Sequence, residues 1–164
     1  ETKFESKGLP TMSDMQTPAR ETCVAALQEK LAALRAEGTF DSFMNPQLAD
    51  FDYDNQELTL RFEVKPWMLN VLGIVHGGLY ASMADCVMGS ISCFWTNSPI
   101  TPSVSLQISF LRPAKEGDVL LFRGKIVSAG RTMIHASMTA WKEGVPEKPL
   151  LTGSGVFFNP HSKQ

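Results

Sequence analysis

The sequence predicts an α+β fold in which one long helix is held by a curved antiparallel sheet, with an additional helix near the N-terminus. Three observations predict it. An even spread of the charged residues, 20% of the 164, would put about nine charges between Pro66 and Leu111, yet Asp85 is the only one there. Within that window residues 77–95 are long enough for about five helical turns. On either side, short runs alternate strictly between apolar and polar residues and are separated by turn-rich stretches.

The elements follow in chain order. Residues 1–18 are polar, contain Pro10 and Pro18, show no periodicity, and read as a flexible tail. Because the chain starts at Glu1, residues 1–11 are expected to be an expression or processing remnant, with Met12 and Met15 as candidate starts. Residues 19–164 are expected to form a single domain, as this length allows. Over residues 19–37, Val24, Leu27, Leu31 and Leu34 recur at helical spacing and Gly38 supplies a stop. Leu58, Leu60, Phe62 and Val64 alternate with polar neighbours over 57–65, which predicts a strand with one buried face. Residues 49–54 are its expected hairpin partner, turning at Asp54-Asn55.

Along 77–95, Tyr80, Met83, Val87, Ile91 and Phe94 form a bulky face. Gly78, Ala81, Ser82, Asp85, Gly89 and Ser92 form a face of small residues. A helix of this kind is expected to be packed on both sides. Alternation returns over 103–111, where Val104, Leu106, Ile108 and Phe110 share one face. Further strands are expected at 119–127, 131–141 and 150–158, with turns at 113–118, 128–130 and 143–149, as an antiparallel meander.

Composition narrows the function classes. Hydrophobic content of 43% excludes intrinsic disorder. No apolar run is long enough for a membrane span, and no membrane partner is expected. With 15 basic and 17 acidic residues, scattered, there is no electrostatic footprint for nucleic acid. Cys23, Cys86 and Cys93 form no CxxC pair, which argues against a disulfide framework or zinc site and for a reducing, cytoplasmic setting.

Asp85 is the candidate for chemistry. A carboxylate among small and apolar residues is costly unless it is hydrogen-bonded, paired or solvated in a cleft. A purely structural account would bond it to a hydroxyl such as Ser82, or face it into a wet groove between subunits. Upstream, Asn70-x-x-Gly73-x-x-His76-Gly77-Gly78 leads directly into the helix. Glycines at a helix start expose N–H donors where the dipole is positive, which suits an oxyanion hole. The alternative is tight packing at Gly77-Gly78, with His76 as a cap or core residue and Asn70 as a turn residue.

These residues, with Asp85 nine positions after His76 and the run SVSLQISFLRPAKEGD, resemble the hotdog-fold acyl-CoA thioesterases over about residues 45–158. The nearest group is the phenylacetate-pathway (PaaI-like) type of the 4-hydroxybenzoyl-CoA thioesterase superfamily. The resemblance implies a long helix wrapped by a curved sheet. It implies hydrolysis of an acyl-CoA, with Asp85 as general base or nucleophile and the Gly77 backbone N–H polarising the thioester carbonyl. Asn70 and His76 would position the thioester end, and Ser103 would orient the attacking water. Arg131 would lie near the coenzyme A tail, and Gly78 and Ser82 complete the expected substrate-binding set. The site would be shared across a homodimer, with pairing into a dimer of dimers. No metal or other cofactor is expected, coenzyme A being part of the substrate.

Two other readings stay open: a non-catalytic acyl-CoA-binding hotdog domain, and a hotdog dehydratase or hydratase. The Phe-Pro-Gly-like element of the dehydratases and the Asp-then-His order of the hydratases are both absent. Cys86 and Cys93 are expected to be small buried hydrophobes, and His135 to be structural or exposed. Trp67, Trp95 and Trp141 are expected in the core or an interface.

Overall fold

The computed structural model describes residues 23–160. The expected tail 1–18, the helix start at 19–22 and residues 161–164 lie outside them. Two helices come first, α1 (Cys23–Leu34) and α2 (Phe40–Met44). Strands β1 (Gln47–Asp52) and β2 (Glu57–Glu63) follow, then a 3₁₀ turn at Pro66–Met68 and the long helix α3 (Gly77–Trp95). The chain continues through β3 (Ser103–Phe110), β4 (Val119–Ala129), β5 (Met133–Lys142) and β6 (Leu151–Phe158).

All six strands join one sheet in the order β1-β2-β4-β5-β6-β3, and every neighbouring pair is antiparallel. Helix α3 touches β2 through β6, so the sheet curves around it. The period-2 pattern puts Leu58, Leu60 and Phe62 of β2, Leu120 and Phe122 of β4, and Ile134, Ala136, Met138 and Ala140 of β5 inside. They meet Tyr80, Met83, Val87, Ile91 and Phe94, the expected bulky face of α3, all buried. Close approach is possible because β4 carries Gly124, where a Cβ would stand 3.3 Å from both the side chain and the carbonyl oxygen of Val87.

The structure differs from the sequence reading at several points. Only β4, β5 and β6 form a meander. Strand β3 pairs with β6 at the sheet's far edge, because α3 carries the chain across the sheet between β2 and β3. Alternation fixes which side chains share a face, not which strand is the neighbour. Nor are the apolar residues of β3 buried: Val104 is 55% and Phe110 56% exposed. The small face of α3 is only partly covered by the described residues. Gly78 is exposed, Ala81, Ser82, Asp85 and Gly89 are half-buried, and only Ser92 of that set is fully enclosed. Trp95 and Trp141 are buried, whereas Trp67 is exposed.

Helix α1 buries Leu27 and Leu31 as its spacing requires but ends at Leu34. Turns then lead to Gly38 at φ +83°. The sequence reading missed α2, a five-residue helix whose N-cap, Thr39, accepts the Ser42 N–H. The β4–β5 turn lies at residues 130–132 rather than 128–130, following a bulge between Ile126 and Ser128.

Candidate active site

The loop before α3 is folded by Asn70. Its side-chain Oδ1 accepts the Leu72 N–H at 2.9 Å and the Ile74 N–H at 3.4 Å, while its own N–H donates to the Ile74 carbonyl at 2.8 Å. This turn needs a left-handed residue, which Gly73 supplies at φ +72°. The His76 N–H then donates to the Met68 carbonyl at 2.9 Å, anchoring the loop's exit beneath the 3₁₀ turn.

His76 is the N-cap of α3, with extended backbone at φ −63°, ψ 135°. Its ring Nδ1 accepts the Gly78 N–H at 2.9 Å, so that nitrogen is the unprotonated one. The capping and turn roles therefore describe His76 and Asn70 locally. Among the described residues the Gly77 N–H has no acceptor. The start of α3 thus spends the Gly78 N–H on its cap and leaves the Gly77 N–H before it without an acceptor among the described residues, at the positive end of the helix dipole.

Asp85 lies two turns further along α3. Its Oδ1 accepts a hydrogen bond from Ser103 Oγ, the first residue of β3, at 2.6 Å. Ser82 is not its partner: that hydroxyl donates back to the Gly78 carbonyl at 2.9 Å. Asp85 and Ser103 together line a cleft of about 870 Å³. Leu27, Leu31 and Leu34 of α1 form one wall, and Cys86, Gly89 and Cys93 continue the α3 wall beyond Asp85. Asn70, His76, Gly77, Gly78, Ser82 and Arg131 do not line this cleft. Arg131 is exposed in the β4–β5 turn. One chain therefore joins Asp85 to Ser103 and holds the Asn70–Gly78 group apart, since eight residues of helix separate Gly77 from Asp85 by about 12 Å.

The cleft is also lined by a half-buried carboxylate that the sequence reading passed over. Asp41 of α2 lines it, and burial, reinforced by the charge of Asp85, raises its pKa above the usual carboxylate value. The available signal was an acid flanked by Phe40, Phe43 and Met44 just after a Thr39 cap. Burial, with added repulsion from Asp41, pushes the Cys86 thiol up to about 12, which makes it a poor nucleophile. Among the described residues no three His, Cys, Asp or Glu side chains gather as a metal site requires.

Residues 72–148 match the family model described as the thioesterase superfamily. Mouse acyl-coenzyme A thioesterase 13 is 30% identical over 84 residues, which are 51% of this chain and 59% of that protein. This chain spans about half the length of the curated relatives it matches. Among solved structures, zebrafish thioesterase superfamily member 2 superposes with a TM-score of 0.73 at 18% identity, covering 82% of this chain and 96% of that one. A Streptococcus mutans protein bound to acetyl-CoA superposes with a TM-score of 0.61 at 24% identity, covering 71% and 89%. Both have the fold seen here.

Proposed function

We propose that this chain, whose hotdog domain belongs to the thioesterase superfamily, hydrolyses an acyl-CoA thioester to the free acid and coenzyme A. The observation that carries the reading is the Ser103–Asp85 hydrogen bond at the head of an apolar cleft. Mouse acyl-coenzyme A thioesterase 13 and the acetyl-CoA-bound bacterial structure agree with it.

A thioester carbonyl is already electrophilic, so the reaction asks for a base and an oxyanion donor rather than a cofactor. Asp85 either takes a proton from a water aligned by Ser103 or attacks the carbonyl carbon itself. The tetrahedral oxyanion collapses, the carbon–sulfur bond breaks, and the thiolate leaves to be protonated. Water attack puts the hydroxyl on the acyl carbon directly; nucleophilic attack passes through an anhydride that water then opens.

The donor is the free Gly77 N–H, held by the Asn70 loop and the His76 cap. Since it lies about 12 Å along the helix from Asp85, the two cannot act on one carbonyl from a single chain. A second copy supplies one of them. Strand β3 offers the joint: its outer edge is unpaired among the described residues, and Val104, Leu106 and Phe110 are exposed along it. Such dimers would pair again. Gly78 and Ser82 border the thioester there, and Arg131 supplies a cation for the coenzyme A tail. Free thiols at Cys86 and Cys93 suit a cytoplasmic setting. No helix among the described residues is long and apolar enough to cross a membrane.

Thiol release from short, long and aromatic acyl-CoAs tests the reading, with Asp85→Asn beside wild type. Hydrolysis by wild type and loss of at least about a hundredfold in the variant is the expected result. Undiminished turnover in Asp85→Asn overturns the assignment. Binding without hydrolysis of any substrate favours a non-catalytic acyl-CoA binder.

A further inference from the structure

We propose that the cleft between α1 and α3 takes the acyl group and that Asp41 sorts acyl groups by charge, admitting uncharged chains and turning away those that carry a carboxylate. This rests on the hydrolase reading above and adds the substrate class.

Which arm of the substrate enters the cleft follows from its lining. Leu27, Leu31 and Leu34 make one side apolar, and Asp85, Gly89 and Cys93 recur every fourth residue along α3, forming a stripe about 12 Å long. Three acids, Glu29, Asp41 and Asp85, line the cleft against one base, Lys30. The Lys30 ammonium is already engaged, donating to the Ser98 carbonyl at 3.1 Å. Phosphates of coenzyme A would meet net repulsion here, whereas an alkyl chain gains from leaving water. Gly89 keeps the floor open: a Cβ there would touch only the Phe157 ring, at 3.6 Å.

Asp41 is the unexplained group in this wall. Among the described residues its carboxylate has no hydrogen bond or ion pair, and it is half-buried. It does not cap α2, since Thr39 does. Burial, and then the charge of Asp85, raise its pKa above the usual carboxylate value. A carboxylate on the acyl chain would add a further like charge beside Asp41 and Asp85 in a partly dehydrated space, with no free cation among the described lining residues to meet it. Rejection by an unpaired like charge is an effective way to discriminate two otherwise similar ligands.

The test compares hexanoyl-CoA with adipoyl-CoA, equal in length and differing by a terminal carboxylate. Wild type is expected to prefer hexanoyl-CoA in kcat/KM by at least about tenfold, and Asp41→Asn to shrink that preference by a similar factor. Asp41→Glu should keep the preference, which a merely structural role for Asp41 would not require. Should Asp41→Asn fold poorly, Asp41→Ser carries the same expectation. An unchanged ratio in the neutral variants, or no preference in wild type, overturns the proposal. Binding of both thioesters to Asp85→Asn, with and without Asp41→Asn, reads the part of the preference set by Asp41 without turnover. A protein that binds with this preference but hydrolyses nothing overturns the hydrolase reading and supports the sorting by Asp41.

Discussion

Ser103 Oγ donates to Asp85 Oδ1 at 2.6 Å, joining the first residue of the edge strand to the middle of the buried helix. The bond fixes one carboxylate oxygen and leaves the other for a substrate or water. It also sits where β3 is least regular, since the register with β6 shifts between Ser103 and Ser105. The irregularity lets the Ser103 side chain turn toward α3 while the rest of the strand stays paired.

Ser103→Ala removes a hydrogen bond to a charged group, of a kind that contributes about 1.5–3 kcal/mol. If it aligns Asp85 or the water, kcat should fall by about 10- to 100-fold with little change in KM. Steady-state kinetics on a good acyl-CoA measures both. A KM effect alone would place Ser103 in substrate binding instead.

Gly77→Pro deletes the proposed oxyanion donor while sparing the helix. Proline is favoured at the first helical position, and His76 already has the extended backbone that a residue before proline requires. Turnover should fall by about a hundredfold or more with the fold retained by circular dichroism. Co-expression of Gly77→Pro with Asp85→Asn should restore activity, because a mixed dimer holds one intact shared site. Random pairing recovers about a quarter of wild-type sites. No recovery would mean that the two groups do not act across an interface.

Asp118 makes stability depend on pH. Burial pushes its pKa up, but Lys142 at 2.6 Å and the Lys115 N–H at 2.7 Å outweigh that and hold it below the usual carboxylate value. A folded-state pKa below the unfolded one stabilises at neutral pH, and that contribution is lost as pH falls through the folded value. Asp118→Asn should cost about 1 kcal/mol near pH 7. In denaturant titrations the gap from wild type should narrow as pH falls below the usual carboxylate range.

Gly153→Ala should loosen the edge strand. A Cβ at Gly153 would stand 2.8 Å from the Gln107 backbone carbonyl oxygen of β3, so one of the two strands must move. Overpacking of this kind costs about 1–3 kcal/mol. Thermal denaturation should show a lower Tm. If β3 joins two copies, gel filtration should also show a smaller assembly. A normal Tm would mean that β6 absorbs the methyl group.

The long helix was legible because nineteen residues, Gly77–Trp95, keep one bulky stripe and a single charge. Strand β2 was legible because its two faces differ in chemistry. Strand β3 showed its alternation but not its position, since neighbours are set by the crossover through α3 rather than by its own residues. Asp85, Ser103 and Gly77 could be singled out from the sequence. Their separation along the helix became plain only when the capping bond of His76 and the free Gly77 N–H could be placed. Asp41 escaped notice because α2 is too short for periodicity to register. What makes it unusual, a carboxylate with no partner among the described residues, is a property of space rather than of spacing.

Helix α3 also acts as a ruler with a fixed phase. Its start and its middle each carry a group to which a role is proposed above, and each residue between them turns the helix by about 100°. Deleting one residue between Gly78 and Ala84 would shorten it by only about 1.5 Å. The same deletion would swing Asp85 into the buried position of Ala84 and leave Cys86 facing Ser103. The distance between the two groups can tolerate small errors; the angle between them cannot. Insertions or deletions here should survive only in whole turns, even where the sequence between the two groups varies freely.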